Sequence, residues 1–409
     1  RKSALKTLLQ RLLKHPKKLG VSFRFWDFLL ILVIVVSGIF LVQFLGRENL
    51  DVISSRELLR LTSTPHIRNE APDAAVRGRP LKGPEILRDS ELLEAAKYKV
   101  YTGIYVANNF SLDLEVPSFS SKGYLWMRWG KPFQDYLEKR GLAVSDVIGL
   151  ENDINPETSL ITPLRDVREF DDGTFGQGML YTGDFYIDNL DLRRFPFNSV
   201  SLPVVLEVDD PVGDLTYKSL RLIPDLRDSG IGQYSDLFGW LTRGWSFGEF
   251  RHHFASGLGA SAVDEEYSQL IFDVSYQRSS WSAFWTLIQP LVVVMASIVL
   301  ITRVLTEFRV EIPIAVLLTL IFLQDGYRSE LPNLPYLSFL DSVYAIAYLL
   351  SIVSFALVLY LESLKRRASL ERNERRDLIL GRIHFYEQSW PPISLLVMVL
   401  LSAASWLLI

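Results

Sequence analysis

Acidic and apolar residues recur with helical spacing along one segment in the C-terminal third of the chain. They follow one another at intervals of four, four, three, four and three: Glu307, Glu311, Ala315, Leu318, Phe322 and Asp325. Such intervals place side chains on one face of a helix. Other positions of the segment are apolar: Ile312, Ile314, Val316, Leu317, Leu320 and Ile321. A carboxylate inside a bilayer costs roughly 3 kcal/mol unless it meets water or a partner. The spacing therefore predicts a helix whose striped face turns away from lipid.

An ion pair at a helix end is the alternative interpretation of two of these acids. Arg303 and Arg309 lie close in sequence to Glu307 and Glu311, and neighbouring opposite charges would neutralise one another locally. Pro313 stands inside the expected helix, where a proline removes a backbone hydrogen bond and favours a kink.

Five apolar segments approach the length that crosses a bilayer, which takes about 20 residues of helix. They are residues 28–45, 281–302, 310–325, 338–361 and 391–409. Lys and Arg are frequent in 1–26 and in 362–390, which predicts that both segments are cytoplasmic. The long middle region and the C-terminus are then expected outside. A secretory signal peptide is the alternative for 28–45.

The middle region has the pattern of β-strands. Apolar residues alternate in SVSLPVVLEV at 199–208 and in QLIFDVSYQ at 269–277, which places one face of each strand in a core. Turn signals recur between such runs, and many short strands predict a sandwich. The chain has no cysteine, so no disulfide holds this region together.

These patterns predict a β plus α membrane protein with the following organisation. A basic cytoplasmic segment occupies 1–26, a transmembrane helix 27–46, a linker 47–98, an extracytoplasmic β-sandwich 99–278, and a four-helix transmembrane domain 279–409, with a basic loop at 362–390. A net charge of −4 gives no reason to expect nucleic acid as a partner. The sequence has no G-x-S-x-G motif, metal triad or phosphate loop, so we do not expect an enzyme.

Four motifs follow one another in order along most of residues 99–409. They are GIYVANNFSLDLEVPSFSSKGYLWMRW at 103–129, LDLRRFPFNSVSL at 190–202, YQRSSW at 276–281, and RVEIPIAVLLTLIFL at 309–323 followed by ELPNLPYLSFLD at 330–341. In this order they resemble the first two strands, the signature loop, the strand-to-helix junction and the pore helix of the pentameric ligand-gated ion channels. The likeness is to prokaryotic members of that Cys-loop superfamily, which lack the Cys pair. The segment at 27–46 lies outside the usual family pattern.

The resemblance implies a homopentamer in a bacterial inner membrane, with an immunoglobulin-like β-sandwich in the periplasm. A small-molecule agonist or protons would open a cation-permeable pore lined by the helix at about 307–328. The residues that would govern selectivity are Glu307, Glu311, Ala315 and Asp325. The bulky side chains of Leu318 and Phe322 would form a hydrophobic gate. Arg309 lies off this stripe. A membrane-anchored sensor that keeps the fold without conducting is the alternative function.

The resemblance also implies a junction that couples the β region to the pore. Its residues would be Glu115, Asp191, Phe195, Pro196, Phe197, Arg278 and Pro332. Relatives usually have an acid where this chain has Asn198, so Glu115 or Asp191 is the expected partner of Arg278. Ordinary surface ion pairs and a tight turn are the alternative interpretations.

Aromatic residues are the candidates for an agonist site between subunits. Those that fall on suitable strands and loops are Tyr124, Trp126, Trp240, Trp245 and Tyr267, with membership of the core as the alternative. We expect no cofactor and no metal site, since the histidines, among them His252 and His253, form no ligand pattern. Two acidic clusters are candidates for Ca²⁺ modulation, with solvated loops as the alternative: Glu207, Asp209, Asp210 and Asp214, and Glu169, Asp171 and Asp172.

Overall fold

The computed structural model describes residues 96–187, 190–209, 211–232, 234–253, 266–303, 310–371 and 374–408. The predictions for 1–26, for the helix at 27–46, for most of the linker at 47–98 and for Glu307 fall outside these residues. The chain forms two compact units. One contains the β region and the segment Arg328–Tyr336, and the other contains the C-terminal helices.

The β region has two sheets, formed by eleven described strands. These are β1 Tyr98–Asp113, β2 Ser118–Gly130, β3 Ile148–Leu150, β4 Leu160–Pro163, β5 Arg168–Glu169, β6 Thr174–Tyr186, β7 Ser199–Val208, β8 Leu220–Pro224, β9 Gly230–Ile231, β10 Trp240–His253 and β11 Glu266–Arg278. A seven-stranded sheet has the order β4-β6-β2-β1-β8, with β5 on β6 and β9 on β1. A four-stranded sheet has the order β10-β11-β7-β3.

The core of this unit takes alternate residues from both sheets, as the sequence pattern predicts. Leu202, Val204 and Leu206 of β7 are buried in it, and so are Phe272 and Val274 of β11. Each fully buried side chain of this size contributes about 1.5–3 kcal/mol to stability. This burial fixes the register of β7 and β11, because a slip by one residue would turn every apolar side chain outward.

A helix that the sequence analysis did not predict follows β2. This helix, α1, spans Lys131–Arg140 and packs Phe133 and Leu137 on the core. Pro132 suits its first turn, where a backbone N–H has no helical partner, and Gly141 ends it at φ +67°, a conformation that favours glycine.

The second unit is helical. Its helices are α2 Ser280–Val299, α3 Glu311–Arg328, α4 Phe339–Leu370 and α5 Glu374–Leu408, the first of which begins in the β unit. Among the described residues α2, α4 and α5 are long and apolar enough to cross a membrane. The protein is thus a β region followed by C-terminal helices with the makeup of a membrane protein, which confirms the coarse architecture predicted above.

Local chemistry explains how these helices begin and bend. Ser338 and Asp341 form a capping box at the start of α4, in which each side chain accepts the backbone N–H of the other. Pro290 of α2 has no backbone N–H to donate to the preceding turn of the helix. Just before it, at Phe284–Ile288, the helix widens to a π turn.

The basic segment at 362–390 differs from the expected loop. Its described residues continue α4 as far as Leu370 and belong to α5 from Glu374 onward. Lys365 lies 3.2 Å from Glu362 and 3.9 Å from Glu387, so opposite charges support both helices beyond their apolar parts. Lys, Arg and Glu are good helix formers, so a charged segment between two apolar runs can extend both helices.

Candidate functional site

One face of α3 carries the residues whose spacing distinguishes this helix. The described members of the predicted stripe are all exposed: Glu311, Ala315, Leu318, Phe322 and Asp325, called the α3 stripe below. Leu318 is 54% exposed and Phe322 67%, and the neighbouring Ile314 and Ile321, outside the stripe, are exposed to a similar extent. The helix thus presents a continuous face with a carboxylate at each end and apolar side chains between them.

The opposite face of α3 determines which residues form the stripe. Val316, Leu320 and Tyr327 are buried there. The Tyr327 hydroxyl donates a hydrogen bond to Asp341 of α4, and Tyr348 of α4 donates one to Gln324 at 2.7 Å. These bonds fix the rotation of α3 about its axis, because a turned helix would leave buried polar groups unpaired.

Pro313 lies at a different point of the helix from the one expected. The described helix begins at Glu311, so Pro313 occupies its first turn, where the backbone N–H makes no bond within the helix. Its ring is buried with the rest of the packed face. At this position the proline neither removes a ladder hydrogen bond nor requires a kink.

A cavity of about 800 Å³ opens on the seven-stranded sheet of the β region. Aromatic residues, arginines and acids line it, among them Tyr101, Trp126, Phe170, Arg128, Arg165, Arg168, Asp172, Asp225 and Asp228. The Trp126 ring lies across Gly103, where a Cβ would come within 2.1 Å of Cε2, and its Nε1 donates to Asp225 at 3.0 Å. The absence of a side chain at Gly103 is what allows the indole to form this wall.

Charges inside the cavity are held in fixed positions. The Arg128 guanidinium lies 4.5 Å from the centre of the Phe170 ring and 2.6 Å from Asp172. Hydrogen bonds from Thr174 and from Arg128 lower the pKa of Asp172 to about 2. Gln177 also lines the cavity. Aromatic surface beside both signs of charge suits a small amphipathic organic ligand.

The five aromatic candidates for the ligand site lie in different places. Trp126 lines the cavity, whereas Trp245 is buried in the core and stacks on Phe272 with ring centroids 5.2 Å apart. Tyr267 is also buried. Tyr124 is exposed on the same sheet face as Trp126 but does not line the cavity.

Trp240 is the first residue of β10, and the centre of its ring lies 6.0 Å from the guanidinium of Arg278. The connection to β11 is at the opposite end of that strand. The cavity also uses Tyr101, Arg128 and Phe170, which the sequence analysis did not select. The alternation of Tyr101 with core residues of β1 was the available signal, because it places that ring outside the core.

The loop around Phe195 contacts the segment Arg328–Tyr336. The backbone N–H of Leu192 donates to the Tyr336 hydroxyl at 3.0 Å, and the Arg193 guanidinium lies 5.2 Å from the centre of that ring. Phe195 is buried and joined to Pro196 by a cis peptide bond. Pro332 lies half-buried in the same segment.

Arg278 has surroundings other than those expected. Its guanidinium lies 4.9 Å from the centre of the Phe195 ring, and its backbone N–H donates to the Asn198 carbonyl. Burial lowers the pKa of Arg278, while the carboxylate of Glu330 acts in the opposite direction. Glu330 is thus a carboxylate whose charge acts on Arg278.

Those two suggested acids have other neighbours. Asp191 lies 3.8 Å from Arg193, with both side chains exposed. Glu115 is exposed in the turn after β1, where its N–H donates to Asp113. Phe197 is half-buried in the loop, and its backbone N–H donates to Arg194.

Several acids of the two clusters proposed for Ca²⁺ have different surroundings, and Asp210 lies outside the described residues. Asp214 accepts hydrogen bonds from Tyr136 and Arg140, and Asp172 pairs with Arg128. Glu207 is buried on β7, whereas Asp209 is exposed. Among the described residues, neither run brings three ligand atoms together.

No known family model matches the chain, and no curated protein sequence is significantly similar to it.

Proposed function

We propose that the chain is one subunit of a homopentameric, ligand- or proton-gated channel that is permeable to cations. The observation that carries the proposal is the α3 stripe, which is exposed on a helix whose other face is packed. Rings of Glu311 and Asp325 around an axis would attract cations, and rings of Leu318 and Phe322 would form an apolar constriction that gates by dewetting. The number five comes from the resemblance to pentameric ligand-gated channels.

Two features of the β region support ligand gating. The cavity beside Trp126 offers a binding site for an organic ligand, and the Phe195 loop contacts the segment Arg328–Tyr336. That segment follows α3 directly in the chain, so a movement of the loop would be passed to the end of the helix. In this proposal the β region is an immunoglobulin-like sandwich in the periplasm of a bacterium, and the basic segment at 362–390 is cytoplasmic.

Currents across planar lipid bilayers test the proposal. The purified chain is reconstituted under a KCl gradient, at neutral and acidic pH, and the reversal potential is measured. We expect unitary currents with cation selectivity. Glu311→Gln should weaken that selectivity, and Glu311→Lys should reverse it or abolish the current. Glu157→Lys makes the same charge change at an exposed site of the β region and should leave selectivity unchanged.

The mass of the detergent-solubilised particle is an independent check. Five copies of the 46.8 kDa chain are expected. A monomer or dimer would contradict the pentamer, and stable pentamers without current under every condition would favour the non-conducting sensor. Currents whose selectivity is the same in Glu311→Lys and in the unmodified chain would exclude the α3 stripe as the pore wall.

A further inference from the structure

Three side chains that are distant in sequence converge on one face of the four-stranded sheet. Glu151 directly follows β3, Glu207 belongs to β7, and His252 belongs to β10. One ligand atom from each lies within 4.8 Å of one atom from each of the others. The cluster therefore connects three strands of this sheet at a point that is separate from both the α3 stripe and the cavity.

Strand alternation explains why these side chains do not face the core. Leu206 and Val208 of β7 point into the core, so Glu207 between them points to the opposite face. Glu207 and His252 are nevertheless buried, with 5% of each side chain exposed. Burying a carboxylate is costly unless charge or hydrogen bonds compensate it, so this position needs partners.

The contacts around Glu207 converge on one oxygen. His252 Nδ1 lies 2.5 Å from Glu207 Oε2, and Gln269 Nε2 donates to the same oxygen at 2.6 Å. Gln269 is 3% exposed, and its Oε1 has no hydrogen-bond partner within the described part of the chain. Rotation of this amide exchanges its nitrogen and oxygen and brings Oε1 to the cluster. Gln269 lies on β11, so all four strands of the sheet contribute.

We propose that this cluster binds a divalent transition-metal ion, with Zn²⁺ as the best match. An imidazole nitrogen, two carboxylates and an amide oxygen can supply four ligands, and Zn²⁺ takes nitrogen and oxygen ligands in tetrahedral sites. The imidazole disfavours Ca²⁺, which prefers oxygen. Any proton between Nδ1 and Oε2 leaves when the ion enters, as for other metal-binding histidines. The exposed Glu151 opens the cluster to solvent.

Calorimetric titration of the full-length, chelator-treated chain in detergent with ZnCl₂ tests the site. We expect one ion per chain. Loss of an outer contact to a metal ligand typically weakens binding about 10- to 100-fold, so loss of a ligand in His252→Gln or Glu207→Gln should weaken it at least tenfold. Titration with Co²⁺ should give the visible absorption of a four-coordinate ion in the unmodified chain and lose it in these variants.

Glu151→Gln keeps the proposal testable if a change at a buried position prevents folding, because Glu151 is exposed. It should also weaken Zn²⁺ binding. His384→Gln, at an exposed histidine of α5, is the matched control and should bind as the unmodified chain does. Failure to bind one Zn²⁺ per chain would overturn the proposal, and so would Glu151→Gln and His252→Gln variants that bind Zn²⁺ as tightly as the unmodified chain does. No current is measured, so the result is independent of the proposed channel function.

Discussion

A buried ion pair joins the two sheets of the β region, and removing one partner alone should destabilise it strongly. Arg221 of β8 contacts Glu249 of β10 through two parallel bonds, Nε to Oε1 at 2.5 Å and Nη2 to Oε2 at 2.7 Å. The exposed fractions of the two side chains are 3% and 4%. Ser268 donates to Glu249 at 2.6 Å, and the Arg221 guanidinium lies 3.9 Å from the centre of the Tyr217 ring.

Glu249→Gln should lower the melting temperature by about 6–20 °C. Removing one partner of a buried pair leaves an uncompensated charge and costs about 3–5 kcal/mol. In a unit of this size each kcal/mol shifts the melting temperature by about 2–4 °C. The assay is thermal unfolding of the full-length chain in detergent, followed by tryptophan fluorescence.

Two further variants isolate the cause. The double variant Arg221→Met with Glu249→Leu removes both charges and should recover at least half of the lost stability, because apolar residues of similar volume replace a buried pair without penalty. Asp191→Asn removes an exposed ion pair and should cost at most about 1 kcal/mol. If Glu249→Gln melts within about 2 °C of the unmodified chain, or if the double variant is the least stable, the reasoning is refuted.

Three other predictions concern the cavity beside Trp126 and the contact between Leu192 and Tyr336. Gly103→Ala should displace the Trp126 indole and shift its fluorescence, because the new Cβ would lie 2.1 Å from the ring, whereas Gly178→Ala in the same cavity meets open space and should leave the spectrum unchanged. Tyr336→Phe removes the acceptor for the Leu192 N–H, a loss of about 0.5–1.5 kcal/mol, and should shift the stimulus for half-maximal current by about 2- to 10-fold without changing single-channel conductance. A change in conductance instead would contradict a role in coupling. The pKa of Asp172 is lowered from its ordinary value of 3.8 to about 2, so its pairing with Arg128 should be complete above pH 3.8 and be lost as the pH falls toward 2. An NMR titration of the carboxyl group should therefore have its midpoint near 2. A midpoint near 3.8 would contradict the hydrogen bonds from Thr174 and Arg128.

The sequence alone determined those features that depend on spacing within one segment. The alternation at 199–208 predicted β7 and its core face, and the runs of apolar residues predicted α2, α4 and α5, because burial and bilayer length leave a local periodic signal. The α3 stripe is of the same kind, since a helix repeats every 3.6 residues and sorts side chains by position.

Only the tertiary structure decided which distant residues meet. Arg221 and Glu249 come together because two different sheets pack face to face, and His252 reaches Glu207 because β11 lies between their strands. Glu330 acts on Arg278 because the segment after α3 packs with the β region. Strand order and sheet packing set these contacts, and no spacing along the chain encodes them, so the ion pair, the cavity wall and the contact between His252 and Glu207 follow from the fold alone.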